Sequence, residues 1–387
     1  MTPEGLVGDT EPRMPIPLSG PPDEWNWVHV AAGDGFAVTW RLLSDDIENA
    51  GPNRSLMAAD LLSDCSFRFG FGYFDGQRCG ETVESWYDDR GLCTPRFPLG
   101  IAGSGSTWTV MVGDVIVNPV VPFVCRSGEP KGPDHGDAPR TTSLELYDTL
   151  PRPREDAFRP VSHWSYDFSE AVGSSVAVLR SGPASSVALA FAERDAVADE
   201  ALGWRVEVRT FDWTTGEEPA TVGIFPAEML GTTGPLEVAD IAATDDHLLL
   251  AFYSGARGPT RTAHLALLPW GGPGEDRIVP NTSLGARPGA LRLARAPGSV
   301  LVTALCSDDP LDPSAAPNRA YLWHAASDEA LLADPDPALV LDPTHTNFYQ
   351  IIPAGVASGS YGLAITDCDD AEIALACDID LVLFGCR

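Results

Sequence analysis

The chain has 387 residues, with 55 acidic against 25 basic side chains and a formal net charge of −30. Such a surface repels nucleic-acid phosphates and anionic lipid headgroups, which argues against nucleic acid as a partner. No run of about 18 apolar residues occurs, so no transmembrane helix is expected.

Residues 1–24 are rich in Pro, Gly and acid, and lack the basic start and apolar segment of a signal peptide. They are expected to form a tether or a trimmed mature end ahead of the first strand, which fits a protein whose export signal was removed. Residues 25–387 are expected to form one domain. Its first strand is expected from Trp25 to Ala31, with Trp25, Trp27 and His29 on one face and Val28 and Val30 on the other.

One phrase then recurs. A polar or Gly-containing turn precedes a five-residue apolar strand six times: Phe36 to Trp40, Thr107 to Met111, Val187 to Phe191, Leu248 to Phe252, Val300 to Ala304 and Tyr361 to Ile365. The clearest copy is Thr244-Asp245-Asp246 followed by Leu248-Leu249-Leu250-Ala251-Phe252. An apolar run of this length between turn signals fits a strand covered on both faces. The starts are 71, 80, 61, 52 and 61 residues apart. A solenoid would keep a tighter period. A β-propeller tolerates uneven spacing, because its blades are four-stranded sheets whose loops lengthen freely. The expected fold is therefore all-β, a propeller of six blades, or seven, with long loops. A multi-sheet β-sandwich protein is the alternative.

Between the copies the reading is coarser. Strands are expected at Ser66 to Phe69 and at Val115 to Val117. Residues 126–160 read as a polar, Pro-rich excursion with one strand at Ser143 to Tyr147. Trp204, Val206, Val208 and Thr210 alternate with Arg205, Glu207 and Arg209, as in a half-exposed strand near a blade's outer edge. Arg261 to Pro269 and Arg319 to His324 take comparable places. Ala371 to Ala376 and Asp380 to Phe384 are the expected closing strands. In a propeller both chain ends often complete the ring, which would bring Trp25 to Ala31 near the C-terminus.

Asp34-Gly35-Phe36-Ala37-Val38-Thr39-Trp40 resembles the Asp-box turn of sialidase-like propellers, Asp-x-Gly-x-x-Thr-Trp, with Phe36 at the glycine position. The likeness covers seven residues of one unit. What it implies is a structural turn, not a catalytic site.

Eight cysteines, Cys65, Cys79, Cys93, Cys125, Cys306, Cys368, Cys377 and Cys386, include no Cys-x-x-Cys pair, which disfavours zinc ribbons and thioredoxin-like sites. Their even number suggests up to four disulfides and an extracytoplasmic protein: secreted, periplasmic or on the cell surface. Four fall before residue 126 and four after 305, so pairing within each group is the simplest scheme.

Motifs for catalysis are missing. Lys131, the single lysine, follows Pro130, so there is no Walker A loop. There is no His-Glu-x-x-His and no Gly-x-Ser-x-Gly. The seven histidines are not spaced for joint ligation. Trp164, Tyr166, Trp323 and His324 are candidates for lining a pocket. Two acidic stretches, Asp367 with Asp369 and Asp370, and Asp308 with Asp309 and Asp312, offer closely spaced carboxylates for a calcium-type cation. Asp is also ordinary turn chemistry. No other cofactor is expected.

Two function classes follow. The first is a non-catalytic extracytoplasmic module that binds a protein or glycan or joins a surface assembly. The second is a secreted carbohydrate-active hydrolase or lyase, whose carboxylates converge on the ring axis from different blades and so need not be near in sequence.

Overall fold

The computed structural model describes twenty-four β-strands, one helix and some of the turns between them. Strand β1 (Ile16–Leu18) is followed by the first sheet, which holds β2 (His29–Ala32), β3 (Phe36–Leu42), β4 (Arg54–Leu61) and β5 (Phe67–Tyr73). The second holds β6 (Arg96–Ser104), β7 (Thr107–Val115), β8 (Arg140–Asp148) and β9 (Pro160–Asp167). The third holds β10 (Val172–Arg180), β11 (Ser186–Arg194), β12 (Trp204–Asp212) and β13 (Ala220–Pro226). The fourth holds β14 (Leu236–Ala243), β15 (His247–Ser254), β16 (Thr262–Pro269) and β17 (Asn281–Ala286). The fifth holds β18 (Leu291–Ala296), β19 (Ser299–Cys306), β20 (Arg319–Ala325) and β21 (Leu339–Leu341), with helix α1 (Asp328–Ala333) between its last two strands. The sixth holds β22 (Asn347–Gly355), β23 (Tyr361–Cys368), β24 (Cys377–Phe384) and, from the other end of the chain, β1 (Ile16–Leu18). Also described are residues 203, 227–235, 244, 246, 255, 261, 270, 272, 279–280, 297–298, 326–327, 334 and 336–337. Side-chain surroundings are described for 188–192, 203–210, 221–244, 246–255, 261–270, 272, 279–285, 291–305, 320–334, 336–337, 353–355 and 361–363.

Each sheet is antiparallel and four-stranded, with its strands in chain order apart from β1. The first strands β2, β6, β10, β14, β18 and β22 adjoin one another in that order, and β22 adjoins β2. Face-to-face packing of such sheets around their first strands is the arrangement of a β-propeller.

All six copies of the recurring phrase lie on the second strand of a sheet: β3, β7, β11, β15, β19 and β23. The best described copy shows why. Leu248, Leu250 and Phe252 pack with Ala188, Ala190, Val206 and Phe225 of the third sheet. Leu249, Ala251 and Tyr253 pack with Leu291, Leu293, Val302 and Trp323 of the fifth. The strand is covered on both faces, and each leucine so buried contributes about 1.5–3 kcal/mol. The fifth sheet repeats this: Val300 and Val302 face the fourth sheet, while Leu301 and Leu305 meet Tyr361 and Leu363 of the sixth. A tight Pro297-Gly298 turn feeds this strand, with Gly298 at φ +72 in the left-handed region.

Three expectations change. The third strand β16 is buried on both faces from Ala263 to Leu268 rather than half exposed, because α1 and the flanking sheets cover it. On β12, Glu207 is buried, not solvated: Arg209 Nε lies 2.6 Å from its carboxylate and Thr221 Oγ1 donates to it at 2.9 Å. The segment that pairs with the C-terminal strand is Ile16–Leu18, within the stretch expected as a tether. The expected first strand, described from His29, is instead the first strand of its own sheet and adjoins β22.

The strand expected at Ser143 to Tyr147 lies within β8, and that at Ser66 to Phe69 largely within β5. Asp380 to Phe384 lies within β24. Ala371 to Ala376 and the Asp34-Gly35 turn fall outside the described residues.

Candidate functional site at the first-strand end of the fourth sheet

The start of β14, the end of β15 and the start of β16 meet at one end of the fourth sheet. The register sets Glu237 opposite Tyr253, which is opposite Ala263, and sets Leu236 opposite Ser254, which is opposite Thr262. Neighbours along a strand point to opposite faces, so two polar groups arise here.

On the face toward the fifth sheet, Arg261 Nη2 lies 2.7 Å from Glu237 Oε2. Its guanidinium carbon is 3.5 Å from the centre of the Tyr253 ring, a cation–π stack. Tyr253 is buried, while Glu237 and Arg261 are partly exposed. A carboxylate thus sits near the start of a first strand, held by a guanidinium that is itself braced on an aromatic ring. An ion-paired carboxylate in that position can accept a proton or attack an electrophilic carbon.

On the face toward the third sheet, Ser254 Oγ and His264 Nε2 are 2.7 Å apart, both buried. The imidazole stacks on Phe252 at 4.9 Å. Burial lowers the His264 pKa, so the ring stays neutral.

Between the fourth and fifth sheets the contact is polar as well as apolar. A register shift between Val238 and Asp240 turns Asp240 toward β18. There its Oδ2 accepts the N–H of Leu293 at 2.8 Å, while Oδ1 accepts that of Ile241 at 2.9 Å. Arg292 Nη1 donates to Ala239 O at 2.9 Å. Asp240 is therefore engaged as a staple between first strands, which leaves Glu237 as the carboxylate of β14 suited to chemistry.

The opposite end of the same two sheets carries Asp328, the first residue of α1, buried beneath Ser327, whose hydroxyl caps the helix. Asp328 Oδ2 pairs with both His247 Nε2 and Arg295 Nη2. Further round, Tyr361 hydroxyl and Ser299 hydroxyl lie 2.7 Å apart, and His324 meets the Tyr361 ring edge-on at 6.0 Å. Burial raises the Tyr361 pKa and lowers that of His324.

Where they are described, the residues singled out from the sequence lie on different sheets. Trp164 and Tyr166 are on β9 of the second sheet, whereas Trp323 and His324 are on β20 of the fifth, where Trp323 is core. Asp367 lies on β23, directly opposite Asp378. Asp369, Asp370, Asp308, Asp309 and Asp312 lie outside the described residues, as do Cys65, Cys79, Cys93, Cys125 and Cys386. Cys306 ends β19, and Cys368 and Cys377 face each other across β23 and β24. Among the described residues no group of three His, Cys, Asp or Glu is placed to hold a metal ion, and no helix is long and apolar enough to cross a membrane.

Sequence reasoning missed Glu237, Arg261 and the Ser254–His264 pair, because each meets its partner only through strand register. It also missed α1, although Ser327 before Asp328-Glu329 and Leu331-Leu332 is a cap, an acidic first turn and an apolar face in order.

No protein-family profile matches the chain, and no curated protein does. Solved structures do. The chain is similar to Trypanosoma rangeli sialidase in complex with sialic acid, at 8% identity and a TM-score of 0.52, over 97% of this chain and 58% of that one. The same sialidase with the inhibitor DANA aligns at 9% identity and 0.52, over 100% of this chain and 60% of that one. Penicillium chrysogenum alpha-L-arabinanase complexed with arabinobiose aligns at 10% identity and 0.48, over 96% of this chain and 98% of that one. The chain thus spans about 58–60% of the length of the sialidase. At such identity the sialidase likeness establishes the fold: this is a β-propeller protein.

Proposed function

We propose that the chain is a six-bladed β-propeller that hydrolyses glycosidic bonds in carbohydrate outside the cytoplasm. The observation that carries this reading is the Glu237–Arg261–Tyr253 group at the first-strand end of the fourth sheet. Its support is the fold shared with a sialidase that binds sialic acid. Glycoside hydrolysis needs two carboxyl groups, about 5–10 Å apart, on either side of the scissile bond. Glu237 supplies one as base or nucleophile, with Arg261 fixing its position. The other comes from a different blade. Asp367 lies near the end of β23, at the end of the sixth sheet where β22 begins. The non-catalytic binding module, the first of the two classes expected from the sequence, has no observation here in its favour.

The test is turnover of a panel of fluorogenic glycosides, including a sialoside and an arabinoside, by the whole chain. Hydrolysis of at least one is expected, and Glu237→Gln should lower kcat by about 100-fold or more with an unchanged thermal transition. No turnover across the panel by folded protein, or equal rates for the variant, would overturn the assignment.

A further inference from the structure

We infer that Cys368 and Cys377 form a disulfide that clasps β23 to β24. The register pairs them directly, as the last residue of β23 and the first of β24, and the pairing continues unbroken to Tyr361 opposite Phe384. Directly opposed residues in antiparallel strands have Cα atoms about 4.5–5.5 Å apart, inside the range of about 4.4–6.8 Å that a disulfide spans. The register therefore places the two positions within the Cα range that a disulfide spans.

The same topology separates the remaining late cysteines. Cys306 ends β19, at the end of its sheet where β18 begins, opposite Arg319. Cys386 follows Phe384 by two residues, and Phe384 lies at the other end of its sheet, opposite Tyr361. Two residues reach at most about 7 Å, whereas an eight-residue strand such as β24 spans roughly 26 Å. A Cys306–Cys386 bond is thus disfavoured, and the simple scheme of pairing within the late group gives way to one clasp at Cys368–Cys377. The bond closes a short ring around residues 369–376, which carry Asp369, Asp370 and Glu372.

The chemistry balances by exchange with a disulfide oxidant, either glutathione disulfide or a dithiol–disulfide oxidoreductase. One thiolate attacks the oxidant to form a mixed disulfide. The second then displaces the carrier as thiol. Two electrons and two protons pass to the oxidant, which leaves as two thiols.

The experiment uses the full folded chain, equilibrated in a glutathione redox buffer, quenched in acid and labelled with a maleimide. Cleavage after Glu372 and after Asp380 puts Cys368, Cys377 and Cys386 on separate peptides unless they are bonded. The expected product is one linked species joining the Cys368 and Cys377 peptides and carrying no label on either. Cys368→Ser should expose Cys377 to labelling and leave the labelling of Cys306 as it was. The inference is overturned if both cysteines in the wild-type chain are labelled, or if either is linked to a third cysteine. The wild-type measurement decides the matter even if the variant does not fold.

Discussion

Asp240, on the first strand of the fourth sheet, accepts the backbone N–H of Leu293, on the first strand of the fifth, at 2.8 Å. Strands of neighbouring blades do not share a ladder, so a side chain supplies the bond that a ladder would. Asp240→Ala leaves the N–H groups of Leu293 and Ile241 without this acceptor. The expected loss is about 1–3 kcal/mol, read as a lower urea midpoint. Asp240→Asn keeps one acceptor and should fall between.

Gly355, at the end of β22, fits for a different reason. A Cβ there would stand 1.9 Å from Arg295 O and 2.8 Å from Ala296 N, both on β18. Backbone meets backbone at this point, and neither side can yield as a flexible side chain would. Gly355→Ala should therefore destabilise the chain by about 1–3 kcal/mol, the range of an overpacked site. A thermal transition equal to wild type would contradict the approach.

At Asp328 one buried carboxylate oxygen serves two partners, His247 and Arg295, both partly exposed. Removing the carboxylate leaves both without this partner, whereas removing either partner leaves the other in place. Asp328→Ala should cost about 3–5 kcal/mol. His247→Ala should cost less, because the arginine still neutralises the acid. Equal effects in denaturant unfolding would show that the pair is not shared in this way.

His264 predicts a pH dependence. Its pKa in the folded chain is lowered by burial, and in the unfolded chain it is near 6.5. Above about pH 6.5 both states are neutral and its contribution is complete. As the pH falls below about 6.5, the unfolded chain takes up a proton that the folded chain refuses, and stability declines until the folded value is reached. His324, shifted in the same direction, adds to the slope. His264→Gln should flatten the fall in urea midpoint between pH 7 and 5, and an unaltered slope would count against the assignment.

What the sequence discloses follows burial. Leu248 to Phe252 could be read at once because the strand is covered on both faces, so its apolar run has no gaps. All six copies lie on second strands, and where their surroundings are described, on β11, β15, β19 and the start of β23, they are buried. Apart from β2, the first strands were less legible: β14 mixes Glu237 and Asp240 into its pattern and carries a bulge, which breaks its alternation. β1 is three residues in a Pro-rich stretch, and its partner is at the far end of the chain. The Glu237–Arg261 pair was hidden for a similar reason. Nothing in the spacing of 237, 253 and 261 announces a meeting until the strands are laid side by side.

Ile16 pairs with Ile379, so the sixth sheet joins two segments 363 positions apart in the chain. At about 5–20 residues per second, translation from one to the other takes roughly 20–70 s. Throughout that interval β1 has no strand to join, and once β24 emerges its edge stays open until β1 returns. Five sheets can form from contiguous stretches as they appear, but the sixth waits. Ring closure is therefore timed by the emergence of β24, and the vulnerable species during biogenesis is a nearly complete ring with one unpaired edge.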